Sequence, residues 1–163
     1  MTIFGKRLSE YVAFSKPFLG LIILVGIVRL GLSLGGISIS VAKWFSVTAT
    51  VWIGILYYSI RVYTSGFGSY KQLLPICVLQ SLAAQAVIVP ALVMAIVTNH
   101  DNIFSAPQYS FGADGKTWLH VGAHLGLGTT VGSLIGWLVG CLIMLAAKKL
   151  MTGGKDTKAA AHA

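Results

Sequence analysis

Long apolar runs separated by short polar turns dominate the chain, and their lengths predict four helices. The runs cover residues 17–37, 44–62, 72–98 and 118–147. Each holds about 20 residues or more, enough to cross a hydrocarbon core of about 30 Å. A backbone in lipid must satisfy its own hydrogen bonds, so such runs are helical. Pro17 suits a helix start and Pro75 a first turn, whereas Pro90 lies deep in the third run and predicts a kink. Trp44 at one end of the second run, with Tyr57, Tyr58 and Tyr63 at the other, follows the aromatic-belt pattern of the two water interfaces. The expected fold is an all-α integral membrane protein, four transmembrane helices in a compact bundle over residues 17–149.

The flanking segments are more polar. Residues 1–16 pattern as a short amphipathic interfacial helix, with Phe4, Leu8, Tyr11 and Val12 on one side and Lys6, Arg7 and Lys16 around them. A secretory signal peptide is the competing reading, but Arg29 interrupts its apolar run and the small residues Ser40 and Ala42 lie too far beyond it. Residues 61–71 form a turn rich in glycine, serine and tyrosine. Residues 99–117 are the one long connection, an outer loop of functional length, and residues 150–163 are expected to be a disordered cytoplasmic tail. No internal repeat is evident.

Every fourth residue of the last run gives His120, His124, Gly128, Gly132, Gly136 and Gly140, neighbours along one helical ridge. In water, glycine at this density costs a helix about 1 kcal/mol per position against alanine. In lipid the same glycines let another backbone approach, the small-xxx-small mode of packing. Internal packing against the first or third span is the expected use of this ridge, with an oligomer interface as the alternative.

Composition narrows the class. The 163 residues are 56% hydrophobic and 10% charged, against about 25% charged in soluble domains, and the mean hydropathy is +0.82. A water-soluble globule is excluded on those terms. The net charge of +8 would suggest nucleic acid in a soluble protein. Here the basic residues flank apolar runs, so membrane topology and anionic headgroups explain them and a nucleic-acid partner is not expected. Nine of them, Lys6, Arg7, Lys16, Arg61, Lys71, Lys148, Lys149, Lys155 and Lys158, fall on one side of the bundle, against Lys43 and Lys116 on the other. The positive-inside rule then gives cytoplasmic N- and C-termini, in a bacterial inner membrane or its organellar equivalent.

Three groups carry candidate chemistry. Arg29 lies almost at the centre of the first run, and an intramembrane arginine marks the bundle interior and a site by default. No run contains Asp or Glu to pair with it. Gln85 sits at similar depth, with Ser133 and Trp52 near the same plane, so an interior polar layer of Arg29, Gln85, Gln80 and Ser133 is expected. Such a layer suits an anion, a lipid phosphate, a quinone carbonyl or a partner's acid, or it is purely structural. His120 and His124, with His100 across the loop, supply ligands for zinc, copper or a haem. The pair lacks the glutamate of the zinc-protease helix, and hydrogen bonding to water or Thr117 near a membrane interface is the expected reading of both histidines, ahead of ligation. Cys77 and Cys141 stand alone in apolar runs and read as buried thiols. Nucleophilic triads, phosphate loops and dinucleotide fingerprints are absent.

The sequence therefore points first to a non-catalytic accessory or packing subunit of a membrane assembly. It would carry no cofactor and would contact the lipid bilayer and other membrane subunits or further copies of itself. One alternative is a haem- or metal-binding electron-transfer subunit using His100, His120 and His124. The other is a small oligomeric anion or solute carrier around Arg29.

Overall fold

The structure is a computed structural model that describes residues 2–110 and 114–160. It is mostly helical, with four helical segments long and apolar enough to cross a membrane. A two-stranded hairpin, β1 (Thr2–Ile3) and β2 (Lys6–Arg7), leads into α1 (Leu8–Leu34). The one-turn α2 (Ile39–Ala42) precedes α3 (Val47–Thr64), and α4 (Tyr70–Thr98) runs unbroken through Pro75 and Pro90. A long loop leads to α5 (Trp118–Ala123), a π-helical turn (His124–Gly128) and α6 (Thr129–Ala160). The helical backbone thus continues past Leu150, where the sequence alone suggests a structureless tail.

Local chemistry fixes the helix ends. The α1 terminus is a Schellman motif, in which Ile37 N–H donates to Leu32 O at 3.0 Å and Gly36 N–H to Ser33 O at 3.2 Å. It requires a left-handed residue, supplied by Gly36 at φ +77°. Ser46 caps α3 by accepting from Ala49 N at 3.2 Å, and Thr117 caps α5 by accepting from His120 N at 3.2 Å. At the start of α4, Ser69 and Gln72 form a capping box. The Gln72 amide also donates to Phe4 O at 2.9 Å, tying the N-terminal hairpin to the α3–α4 turn.

Residues 8–16 do not form a helix separate from the first long one. From Leu8 onward they belong to α1, because one face is buried in the bundle instead of lying on its surface. Tyr11 and Ser15 are fully buried, the Tyr11 hydroxyl donates to Ile3 O at 2.9 Å, and the Phe14 ring stacks on Phe67 at 3.9 Å. These contacts hold the first two turns in line with the rest of α1, through Pro17. The longer helix also moves Arg29 from the expected centre to five residues from the C-terminal end, about 8 Å along the axis.

α3 and α4 each touch the other three long helices and form the central pair, flanked by α1 and α6. Two apolar clusters fill the interior. One joins Ile22, Val47, Val87, Ile88 and Leu92 to Ile103 and Phe104 of the long loop. The other joins Tyr11, Ile55, Tyr58, Val62, Leu73, Ile76, Cys77 and Met144. The outward residues, such as Leu24, Ile27, Ile53, Leu56, Leu82, Leu134, Leu138 and Leu142, are apolar and exposed. Cys77 and Cys141 are free thiols.

The glycine ridge faces α3 and α4, the second and third spans, and not the first. A Cβ at Gly136 would lie 2.7 Å from Ile55 Cδ1, and one at Gly140 would lie 2.7 Å from both Leu73 Cδ2 and Ser59 Oγ. A Cβ at Gly128 would lie 2.8 Å from the Gln85 amide nitrogen. Gly132 differs, with nothing within 4 Å of such an atom among the described residues. α6 is therefore close-packed on its neighbours at Gly136 and Gly140 and stands away at Gly132. Overpacking a tight site costs about 1–3 kcal/mol, whereas a change at an open site stays within about 0.5 kcal/mol. Gly140→Leu should thus lower the thermal midpoint in detergent clearly, and Gly132→Leu should leave it near wild type. Equal loss in both would contradict this packing.

Candidate functional site

The α5–π turn–α6 rod carries the histidines, and the π-helical turn sets their aim. It starts at His124, within a stretch where Gly122, Gly126 and Gly128 weaken regular α-helix packing. A π turn inserts an extra residue into the helical repeat and so redirects the side chains on either side of it. His124 thereby meets α4, its Nδ1 lying 3.0 Å from Gln85 Oε1. Its ring is also 4.9 Å from the His120 ring. His120 in turn uses Nδ1 against the Gly115 carbonyl at 2.9 Å. With Gln85 Oε1 as acceptor, His124 carries its proton on Nδ1, and Nε2 is the atom left for a ligand.

Two cavities adjoin at His124. The larger, about 240 Å³, lies between α3, α4 and the π turn and includes Trp52, Gln85 and Gly132 in its wall. The smaller, about 180 Å³, is lined by Arg29 together with Ile103 and Phe104. Val47, Thr48, Ile88 and His124 belong to both walls. Arg29 is 7% exposed, and its guanidinium carbon lies 5.4 Å from the centre of the Phe104 ring, in cation–π range.

The long loop forms the roof. Asn102 to Ala106 are buried, because the Asn102 carboxamide donates to Ala91 O of α4 at 2.7 Å and accepts from Phe104 N at 2.9 Å. Outside, Lys116 Nζ bridges Asp101 at 2.7 Å and Asp114 at 3.4 Å. The hydrogen bond from Lys116 N–H holds the Asp114 carboxyl below its usual range, and the bond to Asp101 raises the Lys116 amine. Asp114 and Lys116 are therefore charged around neutral pH, and the Lys116 bridge to Asp101 and Asp114 keeps the loop ends together over the roof.

The sequence-derived polar residues Arg29, Gln80, Gln85 and Ser133 are all buried. Gln85 pairs with His124, and Arg29 lines the adjoining cavity. Ser133 donates to the carbonyl of Thr129 on its own helix. Gln80, fully buried, packs against Gly54 where a side chain would otherwise stand. His100 is exposed just past the left-handed Asn99 that ends α4 and does not join the other two histidines. Among the described residues no three His, Cys, Asp or Glu side chains are grouped closely enough to hold a metal ion. The expected His100–His120–His124 set is thus not assembled, because the loop turns inward at Asn102 and leaves His100 at its edge. The loop roof and the π turn are the parts of the site that sequence reasoning missed. The buried pair Ile103–Phe104 and the glycine density around His124 were their signals.

Interhelical hydrogen bonds in membranes contribute about 0.6 kcal/mol on average and at most about 1.7. A double-mutant cycle of Gln85→Leu and His124→Ala, read by unfolding in detergent, should give a coupling in that range, and zero coupling would remove the bond. Comparison with protein-family models, curated proteins and solved structures finds no match to this chain.

Proposed function

We propose that this chain is a multi-pass protein of a bacterial-type inner membrane, with both termini cytoplasmic, that serves as a non-catalytic subunit of a membrane assembly. One observation carries the reading: the four long helices direct large apolar side chains outward on every side while Arg29, Gln80, Gln85 and Ser133 are buried between them. That is the distribution a bilayer demands and water opposes.

The ends of the bundle support the orientation. Lys148 lies over Tyr70 at 4.2 Å and Tyr63 at 5.1 Å, and Lys6 over Phe67 at 4.5 Å. The N-terminal hairpin, the α3–α4 turn and the end of the last span therefore gather their basic residues at one end, as cytoplasmic positive charge does. The non-catalytic reading is supported by the interior partners. Gln85 and His124 engage each other, and Ser15, Ser59 and Ser133 donate to carbonyls of their own helices.

The test has two arms in the native membrane. Single cysteines replacing Thr2, Ser65 or Lys149 should resist an impermeant maleimide on intact cells, whereas one replacing Asp114 should react. Native mass spectrometry after mild solubilisation should find the chain with other subunits in fixed stoichiometry. A reversed labelling pattern would overturn the orientation, and a chain found only alone would overturn the subunit reading.

A further inference from the structure

The basic end of the bundle holds a third cavity, away from the histidines. It measures about 510 Å³ and lies between α1 and α3, with Phe67 of the α3–α4 turn in its wall. Three charged groups line it: Lys6 and Glu10 around the start of α1, and Arg61 in the last turn of α3. Glu10 is engaged on both oxygens. One lies 3.6 Å from Lys6 Nζ, and the other accepts from Arg7 N–H at 2.7 Å. Arg61 has no carboxylate within ion-pair distance among the described residues. It is exposed, its Nη1 donates to the Tyr57 hydroxyl, and no other hydrogen bond from it is formed among the described residues. Its guanidinium carbon stands 5.6 Å from the centre of the Phe14 ring and 5.5 Å from that of Tyr57, in cation–π range. Deeper in the cavity the wall is formed by Ala13 and Pro17, both exposed. Pro17 lies seven residues past Glu10, about 10 Å farther along the helix.

We propose that this cavity binds the phosphodiester head of a singly charged anionic glycerophospholipid, with Arg61 as its principal contact and the acyl region along Ala13 and Pro17. Basic pockets between membrane helices at headgroup depth are suited to lipid phosphate, and tyrosines mark that depth here. The guanidinium is a planar fork of five donors that matches two phosphate oxygens, and Tyr57 takes only one of the five. The Tyr57 hydroxyl accepts from Arg61 and keeps its own proton to donate to the same phosphate. Two cations and one carboxylate leave the cavity with one net positive charge, which balances a diester better than a dianion. Lys6 is held back by Glu10 and by the face of Phe67, 4.5 Å away, so it supports the site mainly through its charge. The inference rests on the membrane setting of the proposed function, but neither on its orientation nor on its subunit role.

The experiment titrates the full chain, in a non-ionic detergent, with dioleoyl phosphatidylglycerol and dioleoyl phosphatidylcholine, and counts bound lipid by native mass spectrometry. One phosphatidylglycerol per chain should bind about fivefold tighter than phosphatidylcholine, the factor for one basic residue near a membrane surface. Arg61→Gln should bring the two lipids within about twofold of each other. Lys71→Gln, which removes a cation at the same end but outside the cavity, should keep the wild-type ratio. Because the arginine variant could fold poorly, Ala13→Leu provides another arm: it fills the cavity from an exposed position and should weaken phosphatidylglycerol about fivefold with a wild-type thermal midpoint. Equal binding of the two lipids, equal loss in Lys71→Gln and Arg61→Gln, or wild-type binding by Ala13→Leu would overturn the site. Glycerophosphoglycerol, the same head without chains, should not displace the lipid at equal concentration. Full displacement would overturn the lipid and leave a site for a free phosphodiester. A chain that stays dissolved without detergent would instead remove the membrane reading, which none of these binding ratios can do.

Discussion

The close approach of α6 to α3 and α4 is the contact on which the remaining geometry depends. At Gly136 and Gly140 the neighbours Ile55, Ser59 and Leu73 occupy the volume of the missing side chains. Lipid chains are as apolar as leucine, so burial of apolar surface does little to hold membrane helices together. Packing at van der Waals distance must do it instead, and glycine is what makes that distance attainable. The same device recurs where Gly26 of α1 meets Val87 and where Gly54 of α3 meets Gln80 and Phe18. Once α6 is fixed at 136 and 140, its course toward the loop determines how far it stands from α3 at Gly132. The cleft is therefore a consequence of where the tight packing stops.

Polar groups in such an interior need partners, because an unsatisfied one costs several kcal/mol in hydrocarbon. This bundle uses two solutions. Serines and threonines return their hydroxyls to carbonyls one turn back, as Ser15, Thr50 and Ser59 do at 2.6, 2.9 and 2.6 Å. Longer side chains reach across elements, as Gln85 reaches His124 and Asn102 reaches Ala91. The second solution links the loop and the π turn to α4, so the roof of the Arg29 cavity and the wall of the larger cavity are held by the same helix. Arg29 gains the face of Phe104 only because Asn102 has already pulled that segment inward.

The four long apolar helices could be read from the sequence because length and apolarity decide them, and tertiary context has little power to override either. Burial of Arg29, Gln80, Gln85 and Ser133 was legible for the same reason: polar side chains are few on helices this apolar and belong between them. Which of them would meet was not legible. Pairing depends on helix rotation, and the π turn at His124 changes rotation by a residue that no periodicity announces. Glycine spacing identified a packing face, but the distinction between Gly132 and Gly136 arises from the divergence of two helices, a three-dimensional quantity. That the first turns of α1 continue the long helix was not legible, because Tyr11 and Phe14 can bury against lipid or protein with equal chemistry. Phe67, about fifty residues away in sequence, decides the matter.

The most direct test of this account is the environment of α6 measured residue by residue in a bilayer. Single nitroxides placed along residues 131–145, with Cys77 and Cys141 replaced by serine, report contact with lipid through their collisions with oxygen. The account predicts maxima at 134, 138 and 142, minima at 133, 136, 140 and 144, and a mobile, accessible label at 132 that departs from its tightly packed glycine neighbours. A profile with 132 as immobile as 136 and 140, or one lacking the helical period altogether, would contradict the packing from which the cleft follows.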